Sequence, residues 1–255
     1  MKIKKAKKGF FKTLRSVFTP KKFISAVILA GGSSQRFGGD TPKQFLLLAG
    51  KPVVVHSMLA FENTPSVKEI VIVCRTDDIP LYDTMAKEYG ITKYQKAVAG
   101  GDTRQASSLN GLNATDKRAD YVLIHDGARP MITPDAIEAV VTEVKNYRAA
   151  CTATASRDTV KIADNRGFIA RTEDRSHVYL AATPQGFYKP LLEACSYSAK
   201  KDGITVTDDA SLLEYYHYPV KLVETGSENL KITTPSDLTI AEAIFAKRNS
   251  EEETE

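Results

Sequence analysis

Apolar and polar positions along this chain follow two rhythms. Short apolar runs at Ala26–Leu29, Glu69–Cys74, Lys96–Ala99, Tyr121–Ile124 and Ala150–Ala155 read as buried strands. Between them lie segments of helical spacing: Val53–Phe61 after the Gly50-Lys51-Pro52 turn, Pro80–Tyr89, Arg104–Leu112, and Asp135–Tyr147, which Thr133 can cap. Strands that alternate with helices predict an α/β fold, a mostly parallel sheet covered on both faces. Ligands of such sheets sit beyond the carboxyl ends of the strands. The polar loops after Leu29, Ala99 and Ile124 leave at that edge and are expected to converge.

The rhythm breaks over residues 156–187. Thr159–Ile162, Phe168–Thr172 and Val178–Ala182 predict short strands around Asp164-Asn165-Arg166-Gly167, a turn signal. A hairpin inserted here either covers a site or pairs with a second subunit. Helices follow at Lys189–Ala199 and Asp208–Tyr216, then a strand at Val220–Val223. The last helix starts at a capped end, with Thr234 as N-cap, Pro235 at the first helical position and Asp237 in the first turn. Without repeats or linkers, the chain divides into an extension (1–23), one domain (24–248) carrying a β-arm (156–187), and an acidic tail (249–255) expected to be disordered.

Charge sharpens this division. The net charge is +4, but residues 1–23 hold eight lysines and Arg15 with no acid. The remaining chain carries 26 basic and 31 acidic residues. The body therefore lacks the cationic balance of a nucleic-acid surface. Within the extension, Phe10, Phe11, Leu14, Val17 and Phe18 share one helical face. That pattern suits an amphipathic helix resting on an anionic membrane or a partner; the alternative is a solvated basic tail ending at Pro20. No apolar core follows the charges, as a signal peptide requires, and no apolar run approaches the roughly 20 residues of a membrane span. Cys74, Cys151 and Cys195 lie far apart, with no C-x-x-C pair, which points to a reducing, cytoplasmic setting. The four histidines have no metal-like spacing.

The candidate chemistry begins at Ala30–Phe45, AGGSSQRFGGDTPKQF, directly after the first strand. Small residues let backbone N–H groups approach a phosphate, and Arg36 and Lys43 can grip it. Neither G-x-x-x-x-G-K-[ST] nor G-x-G-x-x-G is present, so the common nucleotide loops are excluded. The loop edges add Arg129, Lys231 and one prominent carboxylate, Asp126. Such a set suits phosphoryl chemistry, in which positioning and charge neutralisation do most of the work. A single carboxylate can hold Mg²⁺, since phosphates and waters complete the shell.

In order and spacing, AVILAGG, QRF, PKQF, HSMLAF, GGDTRQASS, HDGARP, RDTVK, RTEDR, ATPQGF, TDDASLLE and NLKITTPSDL resemble the 2-C-methyl-D-erythritol 4-phosphate cytidylyltransferases over about residues 24–247. The resemblance implies a three-layer, Rossmann-like nucleotidyltransferase fold, a homodimer made through the β-arm, and attack of a sugar phosphate on the α-phosphate of CTP with Mg²⁺ present. It implies that the backbone of Ala30, Gly31 and Gly32 lies against CTP, and that Arg36 and Lys43 stabilise the transition state. Gly101, Asp102 and Ser107 would meet the cytosine and ribose. Asp126 would bind the metal and orient the sugar phosphate. Arg129, Thr183, Thr207 and Lys231 would hold that phosphate, with Thr159 and Arg175 reaching over from the partner's arm. Ser34 stands where the family usually has a second loop glycine, and Phe37 where it usually has methionine. The nearest alternative is a ribitol-5-phosphate cytidylyltransferase, which typically lacks an arginine at the position of Arg175. A third is a non-catalytic nucleotide-binding or scaffold protein working through the extension.

Overall fold

The computed structural model describes residues 22–32 and 42–252. Arg36, Ser34, Phe37, the amphipathic pattern at 10–18 and residues 253–255 lie outside the described residues. In chain order the elements are β1 (Ile24–Leu29), β2 (Leu47–Leu48), β3 (Lys51–Pro52), α1 (Val53–Glu62), β4 (Val67–Cys74), α2 (Ile79–Glu88), β5 (Tyr94–Ala99), α3 (Arg104–Ala114) and β6 (Tyr121–Asp126). They continue with α4 (Pro134–Tyr147), β7 (Ala149–Ala155), β8 (Lys161–Ala163), β9 (Ile169–Thr172), β10 (Tyr179–Tyr188), α5 (Lys189–Asp202), α6 (Asp209–Tyr215), β11 (Lys221–Glu224) and α7 (Pro235–Glu252).

Seven strands form the main sheet in the order β11-β7-β10-β6-β1-β4-β5. Only β10 among them runs antiparallel to its neighbours, β6 and β7. Successive residues of a strand face opposite sides, and the core follows that period. Ala26 and Ile28 pack with α1, α2 and α4 on one face. Val27 packs with α3, α5 and α6 on the other. A third cluster, Leu48, Val53, Met131, Ile232 and Ala241, seats α7 against the β2–β3 hairpin. Helix α3 lies very close to the sheet: a Cβ at Gly111 would stand 2.3 Å from Val27 Cγ1.

The expected arm differs at its C-terminal side. Residues 179–188 form one strand whose second half leaves the arm: Gln185–Tyr188 pair with β6, and Phe187 is fully buried. The projecting part is the β8–β9 hairpin, whose turn closes as expected. Asp164 Oδ1 accepts from the N–H groups of Arg166 and Phe168, and Gly167 takes φ +85°. Ahead of β8, Thr159 is exposed chain outside any strand. The tail expectation is also corrected, because α7 continues through residues 249–252. No glycine or proline interrupts that stretch, and glutamates propagate a helix well.

Candidate active site

The three loops predicted to converge do so. The ends of β1, β5 and β6 open onto a cleft of about 510 Å³ lined by Ala30, Gly31, Gly32, Lys43, Gly101, Asp102, Ser107, Asp126 and Lys231. Parallel strands place all their C-terminal ends on one edge, so residues some 200 positions apart meet there. Ala30 continues the sheet, its N–H donating to Val73 O at 2.7 Å. Gly31 lies against the backbone of Cys74, where a Cβ would come within 3.4 Å.

On the β5 side, α3 begins at Thr103, whose side chain accepts from Ala106 N–H. The Gly101 N–H donates to Ser107 Oγ at 3.0 Å. A Cβ at Gly101 would be 2.6 Å from Ala106 Cβ, so this turn requires glycine. Ser107 therefore shapes the Gly101 turn while its side chain faces the cleft.

Asp126 closes β6 at the centre of the floor. Its carboxylate is largely buried, with Lys231 Nζ at 2.7 Å from Oδ2 and Arg104 Nε at 3.3 Å from Oδ1. Arg129 Nε lies farther off, 3.9 Å from Oδ2. Burial alone would raise the pKa of Asp126, but Lys231 and Arg104 outweigh it and hold the carboxyl well below the usual range. A Mg²⁺ ion held by one carboxylate must take most of its ligands from phosphates and water. Asp126 lines the cleft and is a carboxylate there that could hold such an ion, in exchange for its contact with Lys231 or Arg104.

Behind Asp126 sits a buried relay. The Asp126 N–H donates to Thr183 Oγ1 at 2.9 Å, and Thr183 Oγ1 lies 3.1 Å from His125 Nδ1. His125 Nε2 faces Arg129 O at 3.3 Å, and a carbonyl can only accept, so Nε2 carries the proton. Neutral Nδ1 then accepts from the Thr183 hydroxyl. Burial holds His125 in this neutral form, lowering its pKa to about 3. The Thr183 hydroxyl, expected to hold the sugar phosphate, here serves Asp126 and His125, and the residue is only 3% exposed.

Other expected residues scatter. The Arg129 guanidinium donates through Nη1 to Asn229 O at 2.8 Å and is mostly buried. Thr207 is exposed, its Oγ1 3.4 Å from Ser211 Oγ, and it directly precedes Asp208, the cap of α6. Thr159 and Arg175 lie on the arm and do not line the cleft; Arg175 Nη1 donates to Arg157 O. Lys43 Nζ donates to Ile232 O at 2.9 Å, which ties the first loop to the segment carrying Lys231. Arg104 is the floor residue that sequence reasoning passed over. Its signal was its place in GGDTRQASS, three residues after Gly101, but its partners Asp126 and Asp209 are distant in sequence.

A profile of the IspD family, 2-C-methyl-D-erythritol 4-phosphate cytidylyltransferase, matches residues 24–247. The chain belongs to this family. It is 44% identical over 225 residues to the 2-C-methyl-D-erythritol 4-phosphate cytidylyltransferase of Lachnoclostridium phytofermentans, covering 87% of this chain and 96% of that protein. It is 42% identical to the enzyme of the same name from Pelotomaculum thermopropionicum, covering 88% and 95%. Among solved structures, 4-diphosphocytidyl-2C-methyl-D-erythritol synthase from Anaerococcus prevotii superposes with a TM-score of 0.80 at 32% identity, covering 89% of this chain and 97% of that one. The 2-C-methyl-D-erythritol 4-phosphate cytidylyltransferase of Thermus thermophilus gives 0.71 at 29%, covering 86% and 98%. The cytidylyltransferase family thus accounts for nearly everything between the basic extension and the end of α7.

Proposed function

We propose that this cytidylyltransferase-family chain transfers CMP from CTP to 2-C-methyl-D-erythritol 4-phosphate, releasing pyrophosphate. The carrying observation is the meeting of the Ala30-Gly31-Gly32 turn, Lys43, Asp126 and Lys231 around one cleft, in a chain of this family. A phosphate oxygen of the sugar attacks the α-phosphorus in line, and the bond to the β-phosphate oxygen breaks. Lys43, with Arg36, neutralises charge gathering on the α-phosphate and leaving group. Lys231 exchanges its Asp126 contact for the attacking phosphate. Gly101, Asp102 and Ser107 form the cytidine side. Mg²⁺, which Asp126 would hold, supplies charge neutralisation of the triphosphate.

The arm supports a homodimer in this reading. Phe168 and Ile169 are each 66% exposed and Leu180 is 61% exposed, an apolar surface that a second copy would cover. Thr159 and Arg175 would then complete the partner's sugar-phosphate site, beside Arg129 and Thr207. Thr183 acts there through Asp126, whose backbone it holds. The basic extension enters the fold at Lys22 and Phe23, where Asp120 pairs with Lys22 and accepts from Phe23 N–H. That entry lies at the sheet edge opposite the cleft, so the extension can meet an anionic membrane while the site stays open. Loss of sedimentation with anionic vesicles on deleting residues 1–21 tests this contact; unchanged sedimentation removes it.

Pyrophosphate release with CTP and each sugar phosphate decides the substrate. Faster turnover with methylerythritol phosphate is expected, and faster turnover with ribitol 5-phosphate overturns the assignment.

A further inference from the structure

Arg104 occupies the first turn of α3, immediately after the Gly101-Asp102-Thr103 turn, and lines the cleft. Its planar fork spans two carboxylates on different elements. Nε lies 3.3 Å from Asp126 Oδ1 at the end of β6, and Nη1 lies 2.8 Å from Asp209 Oδ2 at the start of α6. Asp209 is buried, and its other oxygen accepts from Ser108 Oγ at 2.6 Å, one turn along α3. The neighbouring Asp208 caps α6 and accepts from Gln185 Nε2 at 2.7 Å, while Gln185 Oε1 accepts from Ala210 N–H. The first turn of α6, directly after Thr207, is thus clamped to α3 by one carboxylate and to β10 by the next.

Neutralising Asp209 would not by itself require a contact with Asp126, which already has Lys231 at 2.7 Å. Because Arg104 takes Oδ1 and Lys231 takes Oδ2, the plane of the Asp126 carboxylate is set from two sides. A lysine at 104 offers a single point charge and cannot reproduce the fork.

We propose that Arg104 is a positioning residue that ties the start of α3 to the Asp126 carboxylate and to the first turn of α6, and so sets the sugar-phosphate half of the cleft. This rests on the substrate reading above, in which Asp126 and Thr207 face the sugar phosphate. Arg104 contributes through Asp126 and α6, so its loss falls mainly on the second substrate and on turnover.

The test uses full-length protein with Arg104→Lys, Asp209→Asn and both together, measuring kcat, both KM values, CTP affinity by calorimetry and Tm. Arg104→Lys is expected to lower kcat/KM for the sugar phosphate by about 100-fold while CTP affinity stays within about threefold. Asp209→Asn, which keeps an acceptor for Ser108, should move the same constants about tenfold, and the double variant should lose less than the product of the two. A purely structural role would lower Tm while leaving the kinetic constants of the folded enzyme unchanged. Sugar-phosphate constants within about twofold of wild type in both single variants overturn the proposal. If Arg104→Lys does not fold, Asp209→Asn carries the same criterion. Wild-type turnover is measured first, and if only ribitol 5-phosphate reacts, the substrate reading fails and the same constants are read with that substrate.

Discussion

The cleft and the arm are built on opposite terms. The cleft floor is a set of charges sunk among packed elements: Asp126 and Arg129 at the end of β6, Arg104 on α3 and Asp209 on α6 come from three separate segments, and each has most of its surface covered. The β8–β9 hairpin is held by its own turn and by short-range pairs such as Arg171–Glu173 and Arg166–Asp164, while its apolar side chains stay in the open. Buried charges are stable only with partners at fixed positions, so the floor depends on the whole fold. Exposed pairs contribute little, and the arm depends on whatever covers its apolar face.

Three measurements would sharpen or break that contrast. The largest effect is expected at the cleft. Lys43→Ala should lower kcat by on the order of 100-fold or more without changing the oligomeric state, because in the proposed reaction it removes a transition-state charge contact. Near-normal kcat would remove Lys43 from the chemistry. Next comes the arm, where Phe168→Asp with Ile169→Asp should turn a dimer into a monomer at micromolar concentration. Each charge replaces an apolar contact worth about 2 kcal/mol in an interface. Sedimentation reads the change, and circular dichroism should show the sheet intact; a dimer that survives assigns the interface elsewhere. Mixing Lys43→Ala with Arg175→Ala chains extends this test, since activity regained in hybrid dimers requires a site shared across the arm.

The smallest effect separates the two regions by acid. His125 titrates near 6.5 when unfolded and near 3 when folded, so its neutral form favours the fold fully above pH 6.5. Stability is lost as pH falls from 6.5 toward 3, by about 1 kcal/mol between pH 7 and 5.5. Urea midpoints at those two pH values should differ in wild type and differ less in His125→Gln. An equal difference in both proteins would place the acid sensitivity elsewhere.

The chain's rhythm made the parallel strands legible because each central one is buried on both faces and so reads as a continuous apolar run. It misjudged β10, where Thr183, Pro184 and Gln185 interrupt the apolar pattern in a strand that is nonetheless central. Pairing with β6 and β7 overrides that local weakness. That Asp126, Lys43 and Lys231 line one cleft was legible because Asp126 ends a strand and both lysines lie in polar loops of the chain. Arg104 was hidden because its importance lies in two partners, one of them 105 residues away. For Thr183 the local pattern showed a hydroxyl but not its partners, His125 and the Asp126 N–H, which come from a distant strand.

By itself, the sequence determined the α/β class, the loops that share one sheet edge, the turn at Asp164–Gly167 and the family. Each follows from periodicity, turn chemistry or local order along the chain. Tertiary structure decided which charges neutralise Asp126, which hydroxyl supports it, and where the arm ends and the sheet resumes. Those outcomes depend on distances between segments far apart in sequence, and on burial, which makes one arrangement of charges stable and others costly.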